Sequence, residues 1–186
     1  MRDSDSASDG DLLRRMKSGD EDAFTALYRR HQAAVFRFAL QMSGSSEVAE
    51  EVTQETFMVL VDGAKNYNPD RGALGAFLFG VARNHVLRVM ERRRPMAAGL
   101  DEAIPAEIED EGERFDRSRQ IAALRKAVLA LPAHYREVVV LCELQELDYS
   151  EAAALLDCPV GTIRSRLNRA RALLAGRLRP AERCPA

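Results

Sequence analysis

Apolar residues recur three or four positions apart along most of the chain, and no long stretch alternates apolar with polar residues. This spacing is typical of amphipathic helices and predicts an all-α protein. The helices predicted in the first half cover residues 12–17, 21–42, 47–62 and 73–93. The second half begins with amphipathic stripes over residues 121–131 and 135–142, and ends with predicted helices over 150–156 and 162–178.

One segment interrupts the helical pattern for much longer than a turn. Residues 95–117 contain two prolines, two glycines and an excess of acidic residues, with few large apolar side chains. Such a composition favours a flexible linker, so we expect two small helical domains joined by a flexible acidic linker. The predicted segments are a tail with a short helix (1–20), a first domain (21–95), the linker (96–117), a second domain (118–179) and a tail (180–186).

The composition is that of a globular protein with nearly balanced charge. With 46% hydrophobic and 30% charged residues, collagenous, low-complexity and disulfide-scaffold proteins are excluded. The formal net charge of −2 argues against a strongly basic protein that binds nucleic acid on its own. However, residues 1–96 sum to 0, residues 97–119 to −5 and residues 120–186 to +3. Two arginine-rich stretches, 82–96 and 158–186, therefore flank an acidic one.

The sequence contains no pattern typical of export, a membrane span or a metal centre. Its first residues are acidic and polar, and no apolar run approaches about eighteen residues. Cys142, Cys158 and Cys184 are widely spaced, which fits free thiols in a reducing cytosol. His134 with Cys142 and Cys158 contains no CxxC or HxxxH pair, so ordinary packing is favoured over a metal site. We expect a cytoplasmic protein without cofactor or metal.

The most specific local pattern lies at the C-terminal end. A short alanine-rich helix, a turn at residues 157–161 and a final helix predict a helix-turn-helix, whose second helix enters the DNA major groove. On a helical wheel, Ile163, Leu167, Ala170 and Leu174 face the core. A solvated arginine-rich surface is the alternative to a DNA-binding face. The candidate DNA contacts are Thr162, Arg164, Ser165, Arg166, Asn168, Arg169 and Arg171.

Three segments together resemble one known family. The C-terminal GTIRSRLNRAR, preceded by YSEAAALLDCPV, resembles the −35-recognising region 4 of the extracytoplasmic-function (ECF) sigma factors of bacterial RNA polymerase. AEEVTQETF resembles the family's polymerase-binding segment, and NPDRGALGAFLFGVARNHVLRVMERRR resembles its −10-recognising segment. The resemblance implies a region 2 helical bundle followed by a region 4 helix-turn-helix. It covers nearly the whole chain outside residues 1–20, the linker and a short tail.

The predicted helix over residues 47–62 has an acidic face beside its apolar one. Composition alone favours a plain solvated surface. In the family this face docks on a coiled coil of the largest polymerase subunit. Phe57, at a matching position, is expected in the core. The resemblance therefore implies polymerase binding by Glu47, Glu51, Gln54, Glu55 and Met58.

The resemblance also implies that the fourth predicted helix and the loop before it bind the −10 element. Arginines suit phosphates but carry little sequence information, and a lone Asn in a helix is as often a local hydrogen-bonder. In the family, this loop captures a base extruded from the melting DNA, and here it covers residues 66–74. The implied contacts are Tyr67, Asn68, Asp70, Arg71, Arg83, Asn84, Arg88, Arg92 and Arg93.

Several positions depart from the family pattern. Phe77 stands where Trp is usual and Leu74 where an aromatic is common, which bears on the pose of the loop. Asp157 occupies a turn position usually held by Gly, and because Asp tolerates a left-handed conformation we expect the turn to form. Asn168 lies where related proteins vary, so a promoter preference does not transfer.

The implied function is that of an alternative sigma factor without catalytic chemistry of its own. It would bind core RNA polymerase through the largest-subunit coiled coil and the flap region, recognise −35 and −10 elements of promoter DNA, and assist −10 melting. An anti-sigma factor is a further implied partner, and direct membrane insertion is not expected. The alternative is a homodimeric helix-turn-helix regulator of a palindromic operator, which gives the N-terminal motifs no role. An enzyme is disfavoured because the sequence shows no glycine-rich phosphate loop, metal cluster or Ser/His/Asp set.

Overall fold

The structure, a computed structural model, describes residues 7–62, 64–93 and 113–178. Within these ranges every regular element is helical, which confirms the predicted all-α class. A 3-10 turn at Pro69–Arg71 precedes α4, and a π-helical turn at Val140–Leu144 continues α6. The helices are α1 (Asp9–Lys17), α2 (Glu21–Ser43), α3 (Ser46–Val61), α4 (Leu74–Arg93), α5 (Glu113–Leu129), α6 (Ala133–Val139), α7 (Tyr149–Leu155) and α8 (Val160–Leu178).

Side-chain caps explain where several helices begin. Ser8, Asp20 and Ser45 accept hydrogen bonds from first-turn N–H groups of α1, α2 and α3, respectively. Asp148 forms a capping box with Glu151 at the start of α7. Each cap satisfies donors that have no partner inside the helix. The serines and aspartates that interrupt the apolar pattern therefore determine the helix starts.

Helices α1–α4 form the N-terminal group, with α2 in contact with the other three. On α2, Leu27 and Phe38 are fully buried and Val35 is 1% exposed. Leu12 of α1 and Leu78 of α4 are also fully buried. Because each such side chain stabilises the folded state by about 1.5–3 kcal/mol, this core fixes how α3 and α4 are presented on the surface.

Helices α5–α8 form the C-terminal group, in which α8 packs on α5, α6 and α7. Ile163, Leu167 and Ala170 of α8 are buried, and Leu174 is partly buried against the core. These are the four positions that the helical wheel assigns to the core, so that prediction is confirmed. The turn between α7 and α8 completes the predicted helix-turn-helix.

The two groups share one apolar cluster and are also joined by polar contacts. Arg136 of α6 donates hydrogen bonds to the carbonyl oxygens of Leu129 and Leu131 at the end of α5, and to that of Met42 on α2 at 2.6 Å. Helix C-terminal carbonyls favour a cation. Burial lowers the pKa of the Arg136 guanidinium, although Glu137 opposes this shift. The guanidinium therefore joins α2 to the C-terminal group.

Gly44 and Gln41, at the C-terminal end of α2, also contact the C-terminal group. Gly44, which ends α2 with a φ of 74°, lies against the side chain of Leu129. A Cβ placed on Gly44 would approach Leu129 Cδ1 to 2.9 Å. Gln145 Nε2 donates a hydrogen bond to Gln41 Oε1 at 2.8 Å. The C-terminal end of α2 is thus the main junction between the two groups.

Several predicted boundaries differ from the structure. Helix α1 begins at Asp9, three residues before its predicted start, and α5 begins at Glu113, so residues 113–117 of the predicted linker are helical. Residues 94–112 and 179, and the predicted tail over 180–186, lie outside the described residues. Helix α8 begins at Val160, two residues before the predicted start at residue 162. The carbonyl oxygen of Pro159 accepts the N–H of Thr162 at 2.8 Å. This bond closes the first helical turn before the predicted start, so Gly161 lies inside the helix.

Three apolar positions are less buried than their spacing predicts. Tyr28 of α2 is 36% exposed, because its ring packs edge-on against Phe57 at the surface between α2 and α3. Ile121 and Leu124 of α5 are 43% and 40% exposed. All described side chains from residue 118 to residue 126 are exposed, so this part of α5 projects from the C-terminal group.

Candidate nucleic-acid and protein-binding surfaces

Helix α8 turns a polar face away from the core. Arg164, Ser165, Asn168 and Arg169 are exposed, and Arg166 is half-buried on the flank. The helix begins at Val160, four residues before Arg164 and nine before Arg169, so Arg164 and Ser165 lie nearest its N-terminal end. A helix N-terminus and guanidinium groups both favour phosphates and base edges. The surface therefore has the chemistry of a major-groove-binding helix.

Asp157 allows the tight turn before α8. Its φ is 49°, a left-handed conformation that glycine adopts most easily and that Asp tolerates better than most residues. The N–H of Cys158 bonds to the carbonyl oxygen of Ala153 at 3.0 Å, which ends α7. The expected turn is therefore present with Asp in place of Gly.

Arg171, a predicted −35 contact, is engaged by an acidic side chain. Its Nη2 lies 2.5 Å from Glu143 Oε1 in the π-helical turn. The hydrogen bond to Glu143 raises the pKa of the Arg171 guanidinium. The two side chains are 54% and 38% exposed, so the pair lies at the surface, where such pairs contribute little.

Helix α4 presents a polar stripe at a spacing of four residues. Asn84, Arg88 and Arg92 are exposed on one side of the helix. Arg92 Nε donates a weak hydrogen bond to the carbonyl oxygen of Arg88 at 3.4 Å. The side chain of Arg93 lies outside the described residues. We call Asn84, Arg88 and Arg92 the α4 stripe.

Arg83, predicted together with that stripe, points elsewhere. Its Nε donates a hydrogen bond to Glu137 Oε1 of α6 at 2.8 Å. The Glu137 side chain is 7% exposed and that of Arg83 25% exposed. One predicted DNA contact is therefore used in the junction between the two groups. Nothing in the sequence around Glu137 indicates this role, because the pairing joins residues 54 positions apart.

The loop before α4 is ordered by its own polar groups. Asn68 Oδ1 accepts the N–H of Asp70 at 2.9 Å and caps the 3-10 turn. The hydroxyl of Tyr67 donates to the carbonyl oxygen of Gly72 at 3.3 Å, and its ring packs on Phe77. Tyr67 therefore supports the loop, whereas the side chains of Asn68 and Asp70 are exposed. The side chain of Arg71 lies outside the described residues.

The departures from the family pattern at residues 74 and 77 are accommodated by packing. Leu74 is 1% exposed at the start of α4, and Phe77 packs partly buried against the core. The rings of Tyr67 and Phe77 have centroids 5.4 Å apart. An aromatic contact therefore still joins the loop to α4.

Helix α3 exposes the predicted polymerase-binding positions. Its apolar face is buried by residues such as Val48, Val52 and Phe57, so Phe57 lies in the core as expected. Met58 is 54% exposed, and Val61 near the end of the same helix is 57% exposed, so α3 presents apolar as well as acidic side chains to solvent. We call the exposed set the α3 face: it consists of Glu47, Glu51, Gln54, Glu55 and Met58.

A groove lies beside the α3 face, between α2 and α3. It has a volume of about 550 Å³ and is lined in part by Tyr28, Phe36 and Gln54. The apolar spacing along α2 places Tyr28 on the inner stripe of that helix, so no local pattern indicates this apolar edge. The α3 face therefore borders a shallow apolar depression.

His85 of α4 lies between the α3 face and the α4 stripe. Partial burial lowers the pKa of its imidazole, while Glu55 opposes this shift and Arg88 reinforces it.

Burial raises the pKa of the Cys142 thiol to about 11, with Glu143 contributing, so this thiol is protonated at neutral pH. In the described ranges, no group of three or more His, Cys, Asp or Glu side chains is arranged to bind a metal ion. No described helix combines the length and hydropathy that a bilayer span requires.

Family profiles match both groups of helices. Residues 27–95 match Sigma-70 region 2, and residues 121–174 match Sigma-70 region 4. The ECF RNA polymerase sigma factor SigE of Mycolicibacterium smegmatis is 35% identical, over 83% of this chain and 62% of that protein. The ECF RNA polymerase sigma-E factor of Salmonella typhimurium is 31% identical, over 95% of this chain and 97% of that protein.

Solved structures share the fold. CnrH, in complex with the cytosolic domain of CnrY, superposes with a TM-score of 0.68 at 26% identity, over 91% of this chain and 96% of that one. The sigma factor RpoE of Bartonella quintana, in complex with the anti-sigma factor NepR, gives a TM-score of 0.65 at 26% identity, over 83% of this chain and 96% of that one.

These matches cover both helix groups in the order that the sequence motifs predicted. A homodimeric helix-turn-helix regulator, the alternative, accounts only for the C-terminal match and is not favoured. The chain therefore belongs to the ECF sigma factors of the sigma-70 family.

Proposed function

We propose that this chain binds core RNA polymerase and directs initiation at specific promoters. One observation supports this most: a single chain exposes an acidic face with an apolar residue on α3 and arginine-bearing faces on α4 and α8. A DNA-binding regulator needs only the last of these. A factor that joins an enzyme to two DNA elements needs all three.

The α3 face binds the coiled coil of the largest polymerase subunit. Glu51 and Glu55 are one helical turn apart and exposed, and Met58 offers an apolar centre of the kind that protein interfaces bury. The groove beside Tyr28 extends this apolar surface. The flap region is the second contact on polymerase and binds the C-terminal group.

The α8 face recognises the −35 element in the major groove. Asn168 and Arg169 are exposed near the middle of α8 and supply base contacts, whereas Arg164 and Arg166 bind phosphates. Thr162 and Ser165 lie in the first turns, and the hydroxyl of Ser165 donates to the carbonyl oxygen of Thr162 at 3.0 Å. Asn168 and its exposed neighbours on α8 determine which promoter sequence is preferred.

The α4 stripe and the loop before it bind and help melt the −10 element. Arg88 and Arg92 bind phosphates, and Asn84 offers an amide to a base edge. In the loop, Asn68 and Asp70 are exposed to an extruded base, and Tyr67 supports their positions through its contact with Phe77. Arg71 and Arg93 belong to the same predicted set, as does Arg83, which is engaged by Glu137 of α6.

The chain itself catalyses no reaction, and polymerase performs nucleotidyl transfer in the cytoplasm. An anti-sigma factor is a further partner, as it is for the Bartonella quintana relative, which was solved together with one. Such a partner would act by covering the faces named above. Copurification with the full chain would identify this partner.

Run-off transcription with purified core polymerase on genomic fragments tests this function. Addition of the chain should produce new specific start sites. The double variant Glu51→Gln/Glu55→Gln should weaken initiation about tenfold, since it removes two charges from the docking surface. The control Glu21→Gln/Asp22→Asn, with the same charge change on the first turn of α2, should initiate like the unmodified chain. Absence of specific starts with the unmodified chain would contradict the proposal.

A second measurement tests the assignment of α8. On a fragment that supports initiation, Arg169→Ala should reduce transcription about tenfold, because one good base contact is worth about 1–3 kcal/mol. After the upstream element of that promoter is scrambled, the same substitution should have little further effect. An equal loss on both templates would mean that Arg169 does not recognise sequence there.

A further inference from the structure

A small polar cluster joins the first helix of the chain to the second. Asp9, the first residue of α1, has its Oδ2 atom 2.8 Å from Nε2 of His31 and its Oδ1 atom 2.5 Å from Nη1 of Arg30. Because a carboxylate only accepts hydrogen bonds, Nε2 of His31 carries a proton and donates it. Arg30 also donates to the carbonyl oxygen of Ala7 at 3.1 Å. Two consecutive residues of α2 therefore hold the N-terminal end of α1.

The opposite edge of the His31 ring lies beside the start of α4. A Cβ placed on Gly75, the second residue of α4, would lie 3.7 Å from both Nδ1 and Cε1 of His31. The ring also lines a depression of about 380 Å³, so packing covers only part of it. The bond to Asp9 therefore helps to orient the ring, and the ring supports the backbone where the loop over residues 66–74 ends.

The first end of that loop lies near Asp9. Burial raises the pKa of the Tyr67 hydroxyl, and the charge of Asp9 adds to this shift. Because a charge acts strongly only over a short range, the Asp9 carboxylate lies near Tyr67. Tyr67 in turn bonds to the carbonyl oxygen of Gly72 and packs on Phe77. Asp9 and its partner on α2 thus lie beside both ends of the loop.

The tip of the loop is shaped by a local bond. Asn68 Oδ1 accepts the N–H of Asp70, two residues further on, and caps the 3-10 turn. A bond between such close neighbours gives the tip its shape but does not fix where the tip stands on the helix group. The supports at Tyr67 and Gly75 decide that position, and with it the direction of the exposed Asn68 and Asp70 side chains.

From this geometry we infer that Asp9 and His31 are positioning residues for −10 recognition, which hold both ends of the loop before α4 so that its tip is ordered before a base is extruded from the DNA. This role rests on the proposed capture of an extruded base by the loop. Extrusion costs free energy, and a loop that is already ordered loses less entropy on capture. Helix α1 thereby contributes to promoter opening through the loop.

Apolar contacts keep α1 in place independently of the polar cluster. Leu12 is fully buried and Leu13 is 5% exposed, so both side chains hold α1 on the core. Loss of the bond between Asp9 and His31 should therefore loosen the loop without unfolding the N-terminal group. This separation makes the contact accessible to mutation.

Hydrogen exchange of the full chain, followed by mass spectrometry, tests the contact without polymerase or DNA. In Asp9→Ala and His31→Ala, backbone amides over residues 66–75 should exchange about 3–10-fold faster, since loss of one hydrogen bond shifts a local opening equilibrium by about that factor. His31→Gln keeps a donor at about the reach of Nε2, so its loop should exchange nearly as in the unmodified chain.

Asp11→Ala is the matched control. Asp11 lies in the same turn of α1 and carries the same charge, but it bonds to Ser8 and Arg14. Its loop exchange should stay within about twofold of the unmodified chain, because the pair is exposed. Unchanged loop exchange in both Asp9→Ala and His31→Ala would overturn the inference, as would an equal increase in Asp11→Ala.

Transcription with core polymerase locates the step at which the pair acts. On a duplex promoter, His31→Ala should reduce initiation about 3–10-fold, and His31→Gln should restore most of it. On the same promoter with a mismatched, already open −10 element the loss should be smaller, because the base is already extruded. Arg169→Ala in α8 should lose equally on both templates. An equal loss by His31→Ala on both templates would mean a general defect and would rule out a role in base capture.

The two measurements separate this inference from the proposed function, since hydrogen exchange needs no polymerase. A chain that starts no transcription but shows the expected exchange would contradict the proposed function and retain the support of the loop by Asp9 and His31. Normal initiation by His31→Ala on the duplex promoter would contradict the positioning role alone.

Discussion

Adjacent residues of α4 meet different surroundings because each step along a helix rotates the side chain by about 100°. Arg83 reaches Glu137 of α6, whereas Asn84 is exposed on the same side as Arg88. His85, the next residue, is half-buried and feels the charges of α3 as well as those of α4. Three consecutive polar residues therefore serve the junction, the candidate DNA surface and the boundary with the α3 face.

The pH dependence of stability should report the burial of His85. Its pKa is lowered in the folded chain, chiefly by burial, from a reference of 6.5. Because the unfolded chain then binds the proton more tightly, the free energy of unfolding should fall as pH drops below about 6.5. His85→Gln should lose less stability between pH 7.5 and pH 5.5, by well under about 1.4 kcal/mol since the ring is partly solvated.

Urea denaturation of both proteins at the two pH values measures this difference. At pH 7.5, where His85 is neutral, the comparison gives the packing cost of the substitution alone. An equal loss for both proteins at pH 5.5 would mean that the environment of His85 does not favour its neutral form.

At the scale of elements, the cap at the start of α7 and the left-handed residue at its end explain where the helix-turn-helix begins and turns. Asp148 starts α7 through its capping box, and Asp157 ends it in a left-handed conformation. The first hydrogen bond of α8 then closes from Thr162 to Pro159. The direction of α8, and so the position of its exposed arginines, depends on this short turn.

Variants at residue 157 should differ in stability according to how easily the new residue adopts a left-handed conformation. Asp157→Gly should be at least as stable as the unmodified chain, and Asp157→Ala should be less stable than the Gly variant by about 1 kcal/mol. Chemical denaturation measures the three free energies of unfolding. A Gly variant less stable than the Ala variant would contradict the φ of 49° at this position.

For the whole molecule, the packing of one helix group on the other is the main structural result. Buried apolar side chains of both groups form one continuous cluster. Arg136, Glu137 and Gln145 of the C-terminal group all reach residues of α2 or α4. Surfaces for which binding to separate DNA elements is proposed are therefore held in one compact arrangement.

Gly44 offers a test of that arrangement. Gly44→Ala should cost about 2 kcal/mol or more, because the left-handed backbone disfavours a Cβ and the added atom would displace Leu129 across the junction. Gly19→Ala is the matched control: its φ is 94°, but nothing lies within 4 Å of the added Cβ, so it should cost about 1 kcal/mol. Urea denaturation compares the two, and equal costs would argue against tight packing at the junction.

The positions of the helices and the faces of α3 and α8 follow from local patterns in the sequence. Local hydrogen bonding and the 3.6-residue period govern where a helix starts and which side is apolar, so the start of α3 after Ser45 and the stripe from Ile163 to Ala170 are predictable without coordinates. The resemblance of the motifs to a known family implies which exposed faces bind polymerase and DNA. Helix starts and apolar faces are properties of short segments, and the binding roles come from comparing such segments with a known family.

Which of the predicted side chains are exposed and which are engaged depends on how the helices pack. Arg83 and Arg88 look equivalent in the sequence, yet one is paired with a buried carboxylate and the other is exposed. Tyr28 has the spacing of a core residue but lies at a groove, because α3 covers it only in part, through Phe57. Pairings across 54 residues, such as that of Arg83 with Glu137, depend on how helices pack, and no local pattern encodes that geometry.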